Sequence, residues 1–288
     1  MKIIFSRKGY DSSYKYDRGY SPIFPDGDML SMPIPASGKD ATREHGILLG
    51  KASHRGNSFN EITKTFYKRD PDIIQHHHFD PDLNAGSLNG RHPEWRGAFG
   101  QTGAAQSHLK NQVVKEGDLF LFFGNFRHTE MSNQGDLKWK SGPCFHALFG
   151  YLCIDKILCA DDIEKGALED IYKDHPHFMN RNIYGKTNAL YIAKEHLDGS
   201  NLPGSGTFFY DDQLRLTEEG SSASFWKLPT FFHHEEGTVI SRHGNVKRYE
   251  RMEDYLRLQT VGIGQDFVVS HPTDRMKNWA MNIVQGKN

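Results

Sequence analysis

The feature that most constrains the fold is the run Leu119–Phe123, in which five apolar residues follow one another. A strand of this composition has no polar face, so it must be buried on both sides. The Ala-rich segment before it, Gly103–Gln112, predicts a short helix with Thr102 as its N-cap. Gly124–Asn125 is expected to end the strand. This part of the chain therefore predicts a helix beside a central strand, with polar residues at both ends of that strand.

Shorter segments predict the rest of the fold. Apolar runs predict strands at Lys2–Ser6, Cys144–Ile157, Asn188–Ala193 and Gly262–Val269. An amphipathic pattern predicts a closing helix at Asp274–Val284, and Asp26-Gly27 between two short apolar segments predicts a hairpin. Strands and helices alternate without an internal repeat or a low-complexity linker. We therefore predict one mixed α+β domain over residues 1–288.

Composition excludes several classes of protein. No apolar run is long enough to cross a bilayer, and the N-terminus turns polar too early for a signal peptide. The 3 cysteines are odd in number and lack paired CxxC spacing, which favours reduced thiols in a cytoplasmic protein. The net charge of −1 argues against an extended footprint on duplex DNA. Oligomeric state cannot be read from these properties.

Polar residues follow the first predicted strand. Arg7 and Lys8 come directly after its apolar residues, and Asp11 follows with two serines. Positive side chains and small hydroxyl groups at a strand end are typical of a loop that binds a phosphate or a carboxylate. The alternative is a solvated turn, since no phosphate-binding glycine motif is present.

A second polar segment, Asp72–Leu83, combines imidazole and carboxylate groups. If it begins as a strand, His76 and His78 share one face, and Asp80 and Asp82 continue on the same side. These groups could serve as an acid/base set, with Asp80 or Asp82 as the general base, or they could bind a divalent metal. No other cofactor is indicated by the sequence.

The segment around the predicted helix offers binding groups. Gln101 lies at the helix entrance, where free backbone N–H groups favour anions, and Gln106 and His108 lie on the helix itself. His108 is a candidate proton donor. Beyond the central strand, Phe126 could stack on a base and Arg127 could hold a phosphate.

The chain resembles a bacterial and phage family, the third type of nucleotide modification associated domain. The resemblance covers nearly the whole sequence and rests on ordered segments that include IIFSRKGYDSS, SPIFPDGDMLSMPIP, HHFDPDL, FGQTGAAQSHLKNQ, GDLFLFFGNFR, HALFGYLCI, SFWKLP and GQDFVV. It implies an association with the modification of DNA or nucleotides, and it implies no particular catalytic residue.

A shorter resemblance bears on the fold. The Gly-Asp turn, the apolar strand after it and the HALFGYLCI strand are similar to the EVE and ASCH branch of PUA-like barrels. This resemblance implies a strongly curved sheet or partial barrel, with peripheral helices and long loops, that holds a nucleobase.

Three functions follow as hypotheses. The first is an enzyme that acts on a nucleotide, free or within nucleic acid, in a pocket between HHFDPDL and FGQTGAAQSHL. The second is a reader of a modified base that binds without turnover. The third is a metal-dependent hydrolase of another substrate, centred on His76, His78, Asp80 and Asp82.

Overall fold

The computed structural model describes residues 1–10, 19–35, 53–67, 77–262 and 264–287. The strands in these ranges are β1 (Ile3–Arg7), β2 (Ser21–Ile23), β3 (Ile34–Pro35), β4 (Ser53–His54), β5 (Asn57–Ser58), β6 (His77–His78), β7 (Ala98–Gln101), β8 (Leu119–Met131), β9 (Leu137–Trp139), β10 (Phe145–Cys159), β11 (Ala189–Ala193), β12 (Ser205–Thr207), β13 (Phe225–Leu228), β14 (Tyr249–Arg251), β15 (Leu256–Gln259) and β16 (Asp266–Val269). The described α-helices are α1 (Phe59–Tyr67), α2 (Gly103–Asn111), α3 (Ala160–Glu164), α4 (Glu169–Tyr172), α5 (Pro176–Met179), α6 (Arg181–Tyr184) and α7 (Asp274–Gln285). None of these helices has both the length and the hydrophobicity that a bilayer span requires.

One mixed sheet organises the molecule. Its main path runs β16-β1-β8-β10-β11-β7, and β2, β9 and β12 pair with β8 or β10 beside that path. Strand β8 pairs in parallel with β1 and antiparallel with β10, so both parallel and antiparallel ladders meet on the central strand. The prediction of a mixed α+β fold is confirmed.

The two faces of this sheet carry separate aromatic clusters. On one face Phe5 and Phe123 pack against Trp226 of the small sheet β13-β15-β14. On the other face Phe99 packs edge to face on Phe120 and Phe122. Strand alternation explains the division, because successive residues of a strand point to opposite sides. The expectation that Leu119–Phe123 is buried on both faces is therefore confirmed.

The sheet is curved, and its two edge strands approach each other. The amide of Gln101 in β7 donates a 3.1 Å hydrogen bond to a carboxylate oxygen of Asp266 in β16. No backbone ladder joins β7 to β16 in the described ranges, so the sheet is open rather than a closed barrel. We call the gap between these two edge strands the seam. It is bridged by side chains.

The central strand is longer than the sequence predicts. The expectation that Gly124–Asn125 ends it is wrong, because β8 continues to Met131. Both residues stay in the ladder, Gly124 opposite Ala147 and Asn125 opposite His146. The Nδ2 group of Asn125 donates to the carbonyl of Gly19 at 2.7 Å, while its Oδ1 has no hydrogen-bond partner among the described residues. A polar residue with such a partner does not end a strand.

Other predicted elements are present with shifted ends. The helix after Thr102 ends at Asn111, and Thr273 caps the closing helix by accepting from the N–H of Met276. Gly27 turns the chain with a φ of 88°, and Ile23 pairs with Met29 across this turn. The three cysteines are free thiols.

Replacing Gly124 with alanine should destabilise the fold. An added Cβ would lie 2.8 Å from the carbonyl oxygen of Lys8, which is backbone and cannot move without distorting β1. We expect Gly124→Ala to lower the free energy of unfolding by about 1–3 kcal/mol, the usual cost of overpacking. Urea denaturation measures this value. The control is Gly244→Ala, where an added Cβ meets no atom within 4 Å. Equal urea midpoints for the two variants would contradict the steric clash that we predict between position 124 and the carbonyl of Lys8.

Candidate functional site

Lys8 lies at the end of β1 and points into the curved face of the sheet. Its backbone N–H donates to the carbonyl of Phe123, and its side chain is only 3% exposed. The ammonium nitrogen lies 4.4 Å from the centre of the Phe99 ring and 3.4 Å from Oε1 of Gln265. Burial lowers the pKa of Lys8, and the charges of Asp266 and Asp80 oppose that shift.

The Lys8 ammonium has unused hydrogen-bonding capacity. An ammonium group carries three donors. Among the described residues it makes one hydrogen bond, which is long, and it has no carboxylate oxygen within the 4.0 Å of an ion pair. A buried charge normally has a close partner, because desolvation is costly. The Lys8 side chain thus makes only this one hydrogen bond among the described residues.

Asp80 lies beside the free edge of β7. Its Oδ1 accepts a 2.9 Å hydrogen bond from the N–H of Gly100, and the Asp82–Ala98 bridge continues this edge pairing. Nε2 of His175 approaches Oδ1 at 3.4 Å, and Nε2 of His177 lies 3.9 Å from Oδ2. Burial alone would raise the pKa of Asp80, but the nearby imidazole and ammonium groups hold it below its usual range. The side chain is a carboxylate at neutral pH.

The hydrogen bonds of the two histidines indicate their tautomers. Nδ1 of His175 accepts from the N–H of His177, so its proton lies on Nε2, toward Asp80. Asn188 donates through Nδ2 to the carbonyl of His177, which leaves Oδ1 of Asn188 to accept from Nδ1 of His177 at 2.6 Å. The lone pair of His177 is therefore on Nε2. Burial lowers the pKa of His177 to about 4, so its ring is neutral at pH 7.

Two acceptor atoms consequently face each other across 3.9 Å, Oδ2 of Asp80 and Nε2 of His177. Neither can donate to the other in these protonation states. A group that donated N–H or O–H hydrogens to both atoms would satisfy both acceptors, and either atom could take its proton. This pair is the part of the site best suited to acid/base chemistry.

Gly100 allows the histidine to approach. An added Cβ at this position would lie 2.0 Å from Cδ2 of His177, inside the imidazole ring. The absence of a side chain lets the ring lie directly on the backbone of β7. The glycine at 100 thus fixes how close His177 comes to Asp80.

Asp82 has a different environment. Its two carboxylate oxygens accept from the two terminal nitrogens of Arg91 at 2.7 Å each, and both side chains are buried. Burial raises the pKa of Asp82, and the bidentate Arg91 opposes this. The Arg91 guanidinium also lies 3.9 Å from the centre of the Trp95 ring. With both oxygens engaged, Asp82 holds this segment in place and has less capacity than Asp80 to bind a ligand.

Gln101 and Asp266 form the bridge across the seam. Besides the Gln101 bond, Asp266 accepts from the hydroxyl of Ser6 at 2.6 Å. Oε1 of Gln101 accepts from the N–H of Thr102, so the amide orientation is fixed at both ends. Gln265 lies next to this bridge, 3.4 Å from the Gln101 amide.

The other predicted helix and strand-end residues lie at the rim. His108 shares a 3.0 Å hydrogen bond with Ser241, and burial lowers the pKa of His108. Gln106 accepts from the hydroxyl of Tyr191 at 2.9 Å. Arg7 reaches the carbonyl of Gly262 at 3.4 Å. These three surround the seam without touching Asp80.

The predicted residues beyond Gly124 lie apart from this group. Phe126 is fully buried and packs on Phe149 in the core. Arg127 donates to the carbonyl of Lys140 and to the hydroxyl of Tyr20. In the described structure both have packing or strand-pairing partners, and neither contacts Lys8, Asp80 or His177.

The predicted metal ligands are only partly described. His76 lies outside the described residues, as does Asp11, which is a predicted catalytic residue and not a predicted metal ligand. His78 is described, and its Nε2 hydrogen-bonds the hydroxyl of Tyr184. Asp80 accepts from the N–H of Gly100, and Asp82 is paired with Arg91. Each described residue of the predicted metal set thus has a hydrogen-bond or ion-pair partner within the protein.

Sequence reasoning missed His175, His177, Asn188 and Asp266 as site residues. His175-Pro176-His177 reads as the start of a loop, and Asp266 as the start of an apolar strand. The available signal was position: each lies at an end of a predicted strand or just before one, where functional groups concentrate. Their convergence needs the curvature of the sheet, which no local pattern encodes.

A cavity of about 960 Å³ lies elsewhere, on the outer side of β7 and β11. Trp95, Tyr172 and Ser205 are among the residues that line it. Its Arg96 and Lys194 side chains are paired with Asp155 and Asp198. Neither Lys8, Asp80 nor His177 lines this cavity, so it is separate from the group at the seam.

His177 should make stability depend on pH. The unfolded chain binds a proton on this residue near its ordinary pKa of 6.5, whereas the folded protein does so only near pH 4. Stability should therefore fall as pH drops through this window, by about 3 kcal/mol from this group. His177→Gln removes that contribution, while exposed His271→Gln should keep it. Urea denaturation at several pH values tests this, and parallel profiles for wild type and His177→Gln would contradict it.

Comparison with known proteins places the chain in a family. No curated protein and no solved structure matches it significantly. The family described as nucleotide modification associated domain 3 matches residues 2–270, nearly the whole sequence. The match spans every residue of the seam described above, from Ser6 to Asp266. The chain therefore belongs to the nucleotide modification associated domain 3 family.

Proposed function

We propose that the protein binds a nucleotide or nucleobase at the seam and acts on it through Asp80 and His177. One observation carries the proposal. A cation, a carboxylate and a neutral imidazole are buried together, and each keeps hydrogen-bonding capacity that the described residues do not use. Buried titratable groups with perturbed pKa values and unused hydrogen-bonding capacity are typical of functional sites.

The ligand class follows from complementarity and from the family. Lys8 requires an acceptor such as a carbonyl or phosphate oxygen, and the Asp80–His177 pair requires an N–H or O–H donor. The edge of a nucleobase presents acceptors and donors side by side. The association of the family with nucleotide modification supports the same class.

The chemistry begins with proton removal. In the resting state Asp80 is a carboxylate and His177 a neutral base, so neither has a proton to give. A ligand group held between them can lose its proton to one of the two atoms. The Lys8 ammonium would stabilise the negative charge that develops on the neighbouring ligand oxygen.

A second function, a reader of a modified base, has its own support. The Lys8 ammonium lies against Phe99 inside an aromatic wall that includes Phe120, Phe122 and Tyr191. Such a wall with fixed polar groups can hold a base without changing it. The two functions differ in one measurable property, turnover.

Three variants test the proposal. Lys8→Met, Asp80→Asn and His177→Gln are compared with wild type for binding to nucleoside monophosphates and to oligonucleotides with natural and modified bases. Loss of one charge-assisted hydrogen bond should weaken binding roughly tenfold to a hundredfold in Lys8→Met and Asp80→Asn. Calorimetry measures affinity, and mass spectrometry of the nucleotides measures turnover. The enzyme proposal expects turnover to fall in Asp80→Asn and His177→Gln.

The control is Asp254→Asn, an exposed carboxylate outside the seam. Urea denaturation at pH 7 separates loss of folding from loss of binding. Binding without product in the wild type would favour the reader. Unchanged affinity in all three variants, or no binding by the wild type to any member of the panel, would overturn the seam as the site.

A further inference from the structure

A second group of donor atoms lies far along the chain from Lys8 and Asp80, in the turn between β13 and β14. Phe232 is fully buried against Phe5 and Trp279 and anchors the start of this turn. A single 3-10 turn, His234–Glu236, follows, with His233 as its N-cap. Gly237 ends it with a φ of 78°.

The side chains of His233, His234 and Glu235 converge. One ligand atom from each lies within 4.8 Å of the other two. In the part of the chain that the structure describes, no other set of three such side chains meets this condition. Nδ1 of His233 is 3.4 Å from Oε2 of Glu235. The same nitrogen accepts from the N–H of Glu235 at 3.3 Å as the cap of the turn, so an ion bound through it would replace this hydrogen bond in holding the turn.

The histidines also have the environment of metal ligands. His233 is 5% exposed, so its ring is fixed by packing, and it lies tilted at 47° to the ring of His234 with the ring centres 4.3 Å apart. Nδ1 of His234 is shielded from solvent and has no hydrogen-bond partner among the described residues. A shielded nitrogen without a partner carries a desolvation cost that a bound ion would offset.

We propose that His233, His234 and Glu235 bind one divalent transition-metal ion of the zinc or cobalt class. Two imidazoles and one carboxylate suit such ions better than Mg²⁺ or Ca²⁺, which prefer oxygen ligands. Water completes the fourth position. The ion holds the turn that connects β13 to β14. This site shares no residue with the seam and does not depend on the proposed function.

Arg251 competes with the ion for Glu235. Its Nη2 lies 3.6 Å from Oε2 of Glu235 and 3.2 Å from Oε1 of Glu236. Metal binding requires Glu235 to turn from this guanidinium, while Arg251 keeps its contact with Glu236. Removing the guanidinium should therefore strengthen metal binding.

Cobalt titration of the chelator-treated full-length protein tests the site. Because the chain has 16 histidines, stoichiometry matters as much as affinity. The wild type should bind one more tight equivalent of Co²⁺ than His234→Gln or Glu235→Gln, with the visible absorption of a tetrahedral ion. In His234→Gln and Glu235→Gln the affinity of this site for Co²⁺ should fall roughly tenfold or more. Co²⁺ should raise the melting temperature of the wild type more than that of either variant.

Two further variants complete the design. Exposed His271→Gln removes one imidazole without touching the turn and should titrate like the wild type. Arg251→Gln should bind the same equivalent more tightly at low ionic strength. Equal stoichiometry and affinity in the wild type, His234→Gln and Glu235→Gln would overturn the proposal. The absence of any bound Co²⁺ or Zn²⁺ in the wild type would overturn it as well.

Discussion

The hydrogen bond from the Gln101 amide to the Asp266 carboxylate is the contact on which the site depends. It joins the two edges of the sheet where no backbone ladder does, between residues 165 positions apart. Asp266 is held on its other side by Ser6, and Gln101 by the N–H of Thr102. With both ends fixed, the curvature of the sheet is fixed as well. Lys8 on β1 is thereby brought to the ring of Phe99 on β7.

Inside the curved sheet, the pKa of each buried titratable group depends on its charged neighbours. Lys8 and Asp80 are buried, and burial by itself favours the neutral form of each. The carboxylates of Asp266 and Asp80 oppose the lowering of the Lys8 pKa by burial, and the imidazole and ammonium groups beside Asp80 hold its pKa below the usual range. Removing one member leaves the rest uncompensated, which typically costs about 3–5 kcal/mol in a buried pair. The stability of the fold and the ligand binding that we propose thus rely on the same side chains.

Local sequence patterns predict much of the fold but only part of the candidate site. Burial imposes a hydrophobic period and composition on a segment. The sequence therefore predicts the apolar strand Leu119–Phe123, the helix after Thr102 and the closing helix. The sequence does not predict the end of β8, because the Nδ2 group of Asn125 is bound by the carbonyl of Gly19, a residue 106 positions away. Lys8, Asp80 and Gln101 are found from their places at strand ends. His177 and Asn188 are not, because the tautomer that makes His177 a base arises from a tertiary hydrogen bond.

The position of β16 at the end of the sheet has a kinetic consequence. It pairs along its length with β1, and elsewhere only a single bridge, from Ile240, reaches it among the described residues. All four residues of this edge strand are buried, and we expect the strand to detach at lower free energy than the whole domain unfolds. Each detachment withdraws Asp266 and uncovers Lys8 while β1, β8 and β10 stay paired. Solvent and solutes thus reach this amine at a rate that local opening of β16 sets, and amide hydrogen exchange in β16 reports the same equilibrium.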